Sequence, residues 1–138
     1  MERGKMPGEQ QKESAVTEYL RLATAELPLS VDSKYPTSRF SLLEVHPETG
    51  RRRQIRRHLK HISHPIIGDV NYGRGEYNRF FREHFDCTRL LLAAVELTFV
   101  HPWEEERIVI KAPLDITYIQ VIKQLGWLDV IKKDLTPE

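Results

Sequence analysis

The chain has 138 residues, 40% apolar and 30% charged, enough for one domain with a modest core and with no apolar run of about 18 residues that reads as a membrane span. Its opening, MERGKMPGEQQKE, lacks the apolar stretch of a secretory signal, and the single cysteine, Cys87, excludes an internal disulfide framework and makes the cytoplasm the simplest compartment. The net charge of +1 says little until it is divided along the chain.

Residues 1 to 14 read as a flexible tail, with Gly4, Pro7 and Gly8 as breakers and no apolar periodicity, leaving 15–138 as the folded part. Thr17 to Thr24 fits two patterns: a strand alternating about Tyr19, or a helix carrying Leu20, Ala23 and Leu27. Pro28 to Pro36 is a connection rich in turn formers. Arg39 to Val45 alternates as a strand, with Phe40, Leu42 and Glu44 on one side and Ser41, Leu43 and Val45 on the other. Pro47 and Thr49-Gly50 then signal a turn.

A helix is expected over Arg51 to Ile62, where Ile55, Leu59 and Ile62 make an apolar stripe that packs inward. Arg52, Arg56 and Lys60 form a row on another face, with Arg53 and Arg57 beside it. From Arg51 to His64 the chain has six Lys and Arg residues, Arg51 included, and no acidic one. Taking those six from the net +1 leaves −5 for the rest. Phosphate backbones select such concentrated positive charge, although a solvated basic face carries the same signature.

Pro65 ends that helix, and Gly68-Asp69 with Tyr72-Gly73 marks a loop. Glu76 to Phe85 reads as a helix with Phe80, Phe81 and His84 inward. Arg89 to Val100 reads as one long buried strand, and Arg107 to Lys111 pairs with it as a hairpin. Asp115 can cap a last helix carrying Ile119, Ile122 and Leu125, closed by Gly126, with one more turn over Trp127 to Lys132. The order of elements argues for an α+β domain with a mixed or antiparallel sheet and a few helices.

Familiar catalytic and metal patterns do not account for this chain. His58, His61 and His64 are spaced by three, yet His64 falls beyond the helix and the neighbouring arginines repel a divalent cation, so no metal site is expected. Those histidines are read as structural or RNA-facing. Cys87 has no base near it in sequence, and Gly73-Arg-Gly75 is too short to cradle a phosphate.

What remains is the run Thr49-Gly-Arg-Arg-Arg-Gln-Ile-Arg56-Arg-His58, followed by HISHPIIGDVNYG and, further on, RLLLAAVELTFVHP. The first is similar to the TGR-x-HQ-[IL]-R-x-H motif of RluA-type RNA pseudouridine synthases. The second resembles that family's H-x-HP-[IL]-x-GD-x-x-YG, and the third its leucine strand leading to a histidine–proline pair. Thr17-Glu-Tyr19 through Pro28, Tyr35-Pro-Thr, Arg39-Phe-Ser-Leu and Arg79-Phe-Phe-Arg-Glu-His84 resemble the branch named for tRNA pseudouridine synthase C. The resemblance covers roughly residues 15 to 115 and corresponds to the C-terminal half of the catalytic domain.

The resemblance implies an isomerase that turns a uridine of RNA, here tRNA, into pseudouridine with one aspartate and no cofactor. It makes Arg56 the partner of that aspartate and Leu92 the residue packed under the target base. Plainer readings stand beside these, with Arg56 as one more phosphate contact and Leu92 as core. Arg51, Arg52, Arg53, Arg57 and Lys60 are the expected RNA contacts. Asp69, in the family pattern, belongs to a structural loop. The 138 residues contain no HRLD-x-x-TSG segment, where the family carries its catalytic aspartate, and Arg53 and Ala93 stand where the family often has histidine. Three functions therefore compete: half of a synthase completed by other chain, an RNA-binding remnant using residues 51–62, and a module whose basic ridge meets an acidic protein. Open strand edges also invite self-association.

Overall fold

The computed structural model describes residues 14–137, so the expected tail lies outside the described residues except for Ser14. Strands β1 (Thr17–Leu27) and β2 (Ser38–Pro47) form one antiparallel ribbon, and β3 (Glu96–Val100) and β4 (Arg107–Lys111) form another. Helices α1 (Gln54–His61), α2 (Gly75–Phe85) and α3 (Ile116–Gln124) lie between and after them, and a 3-10 turn spans Lys133–Leu135. The class is α+β, as expected. Its sheet is two separate antiparallel ribbons rather than one sheet among the described residues.

A bulge at Leu22 explains why β1 carries two patterns at once. Arg21 pairs with Leu43, but Ala23 pairs with Leu42, so one residue is inserted and the alternation changes side. Ala23 and Ala25 thereby join Leu42 and Phe40 on the core side, while Tyr19 and Arg21 lie opposite Val45 and Leu43 on the other. The resulting spacing of apolar residues imitates a helix, and the structure resolves the choice as strand.

The core is small and aromatic. Phe40 and Leu42 of β2 meet Phe80 and Phe81 of α2, and Val121 and Ile122 of α3 close over them with Leu125 at its C-cap, Cys87 and Trp127. The Phe81 ring stands edge-on to both Phe40 and Phe85 at 4.9 Å. Trp127 donates its indole N–H to the Thr24 carbonyl at 3.2 Å, which fixes the segment after α3 on β1. Asp115 caps α3, its Oδ1 accepting from the Tyr118 N–H at 2.8 Å.

Several expectations change. His84 is exposed and lies flat on Phe80, 4.2 Å between centroids, while Phe85 of the same last turn packs against the core in its place. Helix α1 starts at Gln54 rather than Arg51, since Arg53 takes a left-handed conformation with φ of 53°. Arg89 to Val100 is not one buried strand. Arg89 donates to the carbonyls of Leu90 and Leu92, and the Leu91 N–H bonds Ile67, so backbone groups a ladder needs are already used. Only Glu96–Val100 is strand, and all of it is exposed. Of the stripe Ile55, Leu59 and Ile62, Leu59 is buried as expected, while Ile62 is exposed, and all three line an open cavity.

Candidate nucleic-acid interface

Gln54, a residue that periodicity did not single out, ties the basic helix to the sheet. Its side chain is buried and fully hydrogen-bonded. The Oε1 accepts from Thr49 Oγ1 at 2.6 Å and from the Arg51 N–H at 3.1 Å. The Nε2 donates to the Val16 carbonyl and to Thr17 Oγ1, each at 2.9 Å. His58 Nδ1 lies 2.6 Å from the same Thr17 hydroxyl, which gives that histidine a structural place. Gln54→Ala is expected to lower stability by about 2 kcal/mol, because it strands several part-buried partners. A thermal melt of the variant that matches the parent contradicts this account of the helix start.

The loop after α1 is built around Asp69, whose side chain is fully buried. Arg56 grips it through two parallel hydrogen bonds, Nε to Oδ2 at 2.8 Å and Nη2 to Oδ1 at 2.7 Å. Oδ1 also accepts from the N–H groups of Asn71 and Tyr72 at 3.1 and 3.0 Å. Asn78 of α2 clamps the backbone, donating to the Asp69 carbonyl and accepting from the Gly68 N–H. The Arg56 guanidinium outweighs the cost of burial and, with the two backbone N–H groups, holds the Asp69 carboxyl down at about 2.

Arg56 therefore stands apart from the ridge in which its spacing placed it. It is committed to Asp69, and no other acceptor among the described residues takes its Nη1. Arg53, Arg57 and Lys60, with Arg56 itself, gather around Tyr72. Arg56 Cζ lies 5.2 Å and Lys60 Nζ 5.9 Å from the ring centroid. A hydrogen bond from Arg53, aided by the charges of Arg53, Arg57 and Arg56, lowers the phenol pKa against the opposing effect of burial. Arg51, Arg52, Arg53, Arg57 and Lys60 are all exposed, and Arg51 also donates to the Ser14 carbonyl at 3.1 Å. The sequence had named the cations; Tyr72 at their centre was legible only as part of a loop.

Leu92 is half-buried in the irregular segment before β3 and lines the same cavity, of about 1310 Å³, as Ile55 and Leu59 of α1. The structure thus brings Leu92 and the apolar side of α1 to one hollow, whose lining includes neither Arg56 nor the exposed cations. Cys87 is buried, and burial pushes its thiol pKa up, so it has the character of a packed residue.

Comparison with known proteins places this chain among homologues of the pseudouridine synthases, matching their C-terminal part. The relatives carry the name tRNA pseudouridine synthase C. The one from Vibrio vulnificus is 46% identical over 119 residues, 86% of this chain and 48% of the relative. That from Vibrio parahaemolyticus is 46% identical over 125 residues, 91% of this chain and 50% of the relative. That from Salmonella typhi is 48% identical over 113 residues, 82% of this chain and 43% of the relative. The chain spans about half the length of the curated relatives it matches. No family model matches it.

Proposed function

We propose that the chain is the RNA-holding part of an RluA-type tRNA pseudouridine synthase, converting uridine to pseudouridine in tRNA once the rest of the enzyme is present. The observation that carries this reading is the homology to tRNA pseudouridine synthases across nearly all the described residues, basic helix included. In this reading the exposed residues Arg51, Arg52, Arg53, Arg57 and Lys60 track the phosphates of a folded RNA, whose narrow major groove favours recognition by shape and backbone. The target uridine leaves its stack to reach the reacting group, and the isomerisation calls for no cofactor. Leu92, at the hollow, packs beneath the base.

The catalytic aspartate comes from chain beyond the matched half, since no HRLD segment occurs in these residues. Arg56 suits that aspartate as a partner because Asp69 fixes its plane while leaving donors unused. The compartment that goes with a tRNA substrate is the cytosol. A non-catalytic RNA-binding role uses the same ridge and shares the binding test.

That test is tRNA affinity measured across a salt series for the parent, Arg52→Ala and Lys60→Ala. Each variant is expected to bind more weakly and to reduce the slope of log K against log salt by about one. An unchanged slope in both variants removes the basic ridge as the RNA face. Stronger binding to an acidic protein than to tRNA would favour the third reading instead.

A further inference from the structure

The basic side of α1 is not a uniform strip. Arg53, Arg56, Arg57 and Lys60 are spaced by three and four residues, and the side they share meets the following loop at Tyr72. Of these four, only Arg56 has a counter-charge among the described residues, and that charge is Asp69. Arg53, Arg57 and Lys60 converge instead on a phenol, which has no negative charge to answer theirs. The Tyr72 hydroxyl accepts from Arg53, and among the described residues nothing accepts its own proton. Cations at this spacing repel one another. Arg53 also holds a left-handed backbone, with φ of 53°, which a bulky residue seldom adopts. Neither feature stabilises the domain by itself, and an anion held between the cations accounts for both.

We infer that Tyr72, Arg53, Arg57 and Lys60 form a seat for one phosphate group, with the Tyr72 hydroxyl as a donor to it. The inference rests on the functional reading above, which makes that group a phosphodiester of the RNA. The three cations supply charge-assisted donors, and the phenol adds a neutral donor that fixes where the phosphate oxygen lies. Arg56, gripped by Asp69, borders the seat and keeps the phenol ring in place from below. A run of carboxylates on an acidic protein is the less favoured occupant, since the homologous relatives carry a tRNA name. On a plainer reading the Tyr72 ring merely covers Arg56 and Lys60. Tyr72→Phe separates the two readings, because it keeps the ring and removes the hydroxyl.

The experiment measures tRNA affinity of the 138-residue chain across a salt series for the parent, Tyr72→Phe, Arg53→Ala and the double variant. Tyr72→Phe is expected to bind about tenfold more weakly with an unchanged salt slope, since a neutral donor releases no counterion. Arg53→Ala should lower the slope by about one. The double variant should lose less than the two losses multiplied, because both side chains serve one phosphate. As a second readout, the Tyr72 ring resonance in isotope-labelled chain, assigned by its loss in Tyr72→Phe, should move on adding inorganic phosphate. It should stay in place in sodium chloride of equal ionic strength. Tyr72→Phe that binds tRNA as tightly as the parent overturns the seat and leaves the RNA reading standing. A parent that does not bind tRNA retires the RNA reading, and the phosphate titration then assigns the seat to free phosphate or, with no shift, removes it. Polyglutamate that binds as tightly as tRNA, and is weakened equally by Tyr72→Phe, overturns the choice of phosphate.

Discussion

Asp69→Ala is expected to cost about 3 kcal/mol of stability, a large share of what holds a small domain together. The side chain is fully buried and satisfies Arg56 twice and two backbone N–H groups once each. Removing it strands a cation and opens the turn at Asn71 and Tyr72. The Arg56 side chain keeps 20% of its exposure, so water recovers part of its charge and the loss falls at the lower end for broken buried pairs. Asp69→Asn should lose less, because an amide oxygen still accepts from the turn. Chemical denaturation of the three proteins at neutral pH gives the ranking parent, Asn, Ala. Equal stability for all three contradicts a structural role for Asp69.

The same pair sets an acid limit. The Asp69 carboxyl sits at about 2 in the folded chain against an ordinary 3.8. A depressed folded value means that the contribution is fully present above about 4 and is lost as the pH falls through 2. Its size is on the order of 2 kcal/mol. The Asn variant should lack this component between those two values.

Gly68→Ala is the second large effect, expected at about 3 kcal/mol or more. The residue has φ of 89°, where a side chain is strained, and a Cβ there falls 2.2 Å from the Arg89 carbonyl oxygen. That atom is backbone and cannot swing aside. The Gly68 N–H also bonds Asn78, so the strain passes into the clamp around Asp69 and the placement of Arg56. A melting temperature within a degree or two of the parent refutes the tight approach of these two segments.

How far the sequence reached differs by region, for physical reasons. Phe40 and Leu42 alternate cleanly, and β2 was legible from them. β1 was ambiguous because the Leu22 bulge breaks its period. Arg89 to Val100 misleads because composition shows an apolar run but not the Arg89 guanidinium that takes two of its carbonyls. For the site, local charge marked Arg51, Arg52, Arg53, Arg57 and Lys60, all of which are exposed. Spacing also placed Arg56 in that row, and only the fold, by folding the Gly68–Tyr72 loop back on α1, shows it turned to Asp69. Gln54 and Asn78 are invisible to periodicity since each acts through several long-range hydrogen bonds. The apolar stripe of α1 was read correctly as a stripe. Its surroundings were legible only in part, since Leu59 is buried while Ile55 and Ile62 line an open cavity.

The most direct measurement is a pseudouridine assay on uridine-labelled tRNA, with the purified chain alone and with the complementary half of the Vibrio vulnificus relative. The account predicts product only from the combined halves, and its loss when Arg56 is changed to alanine. Pseudouridine formed by the 138 residues alone would mean that a carboxylate within them is catalytic, with Asp69 the first suspect, and would contradict the account.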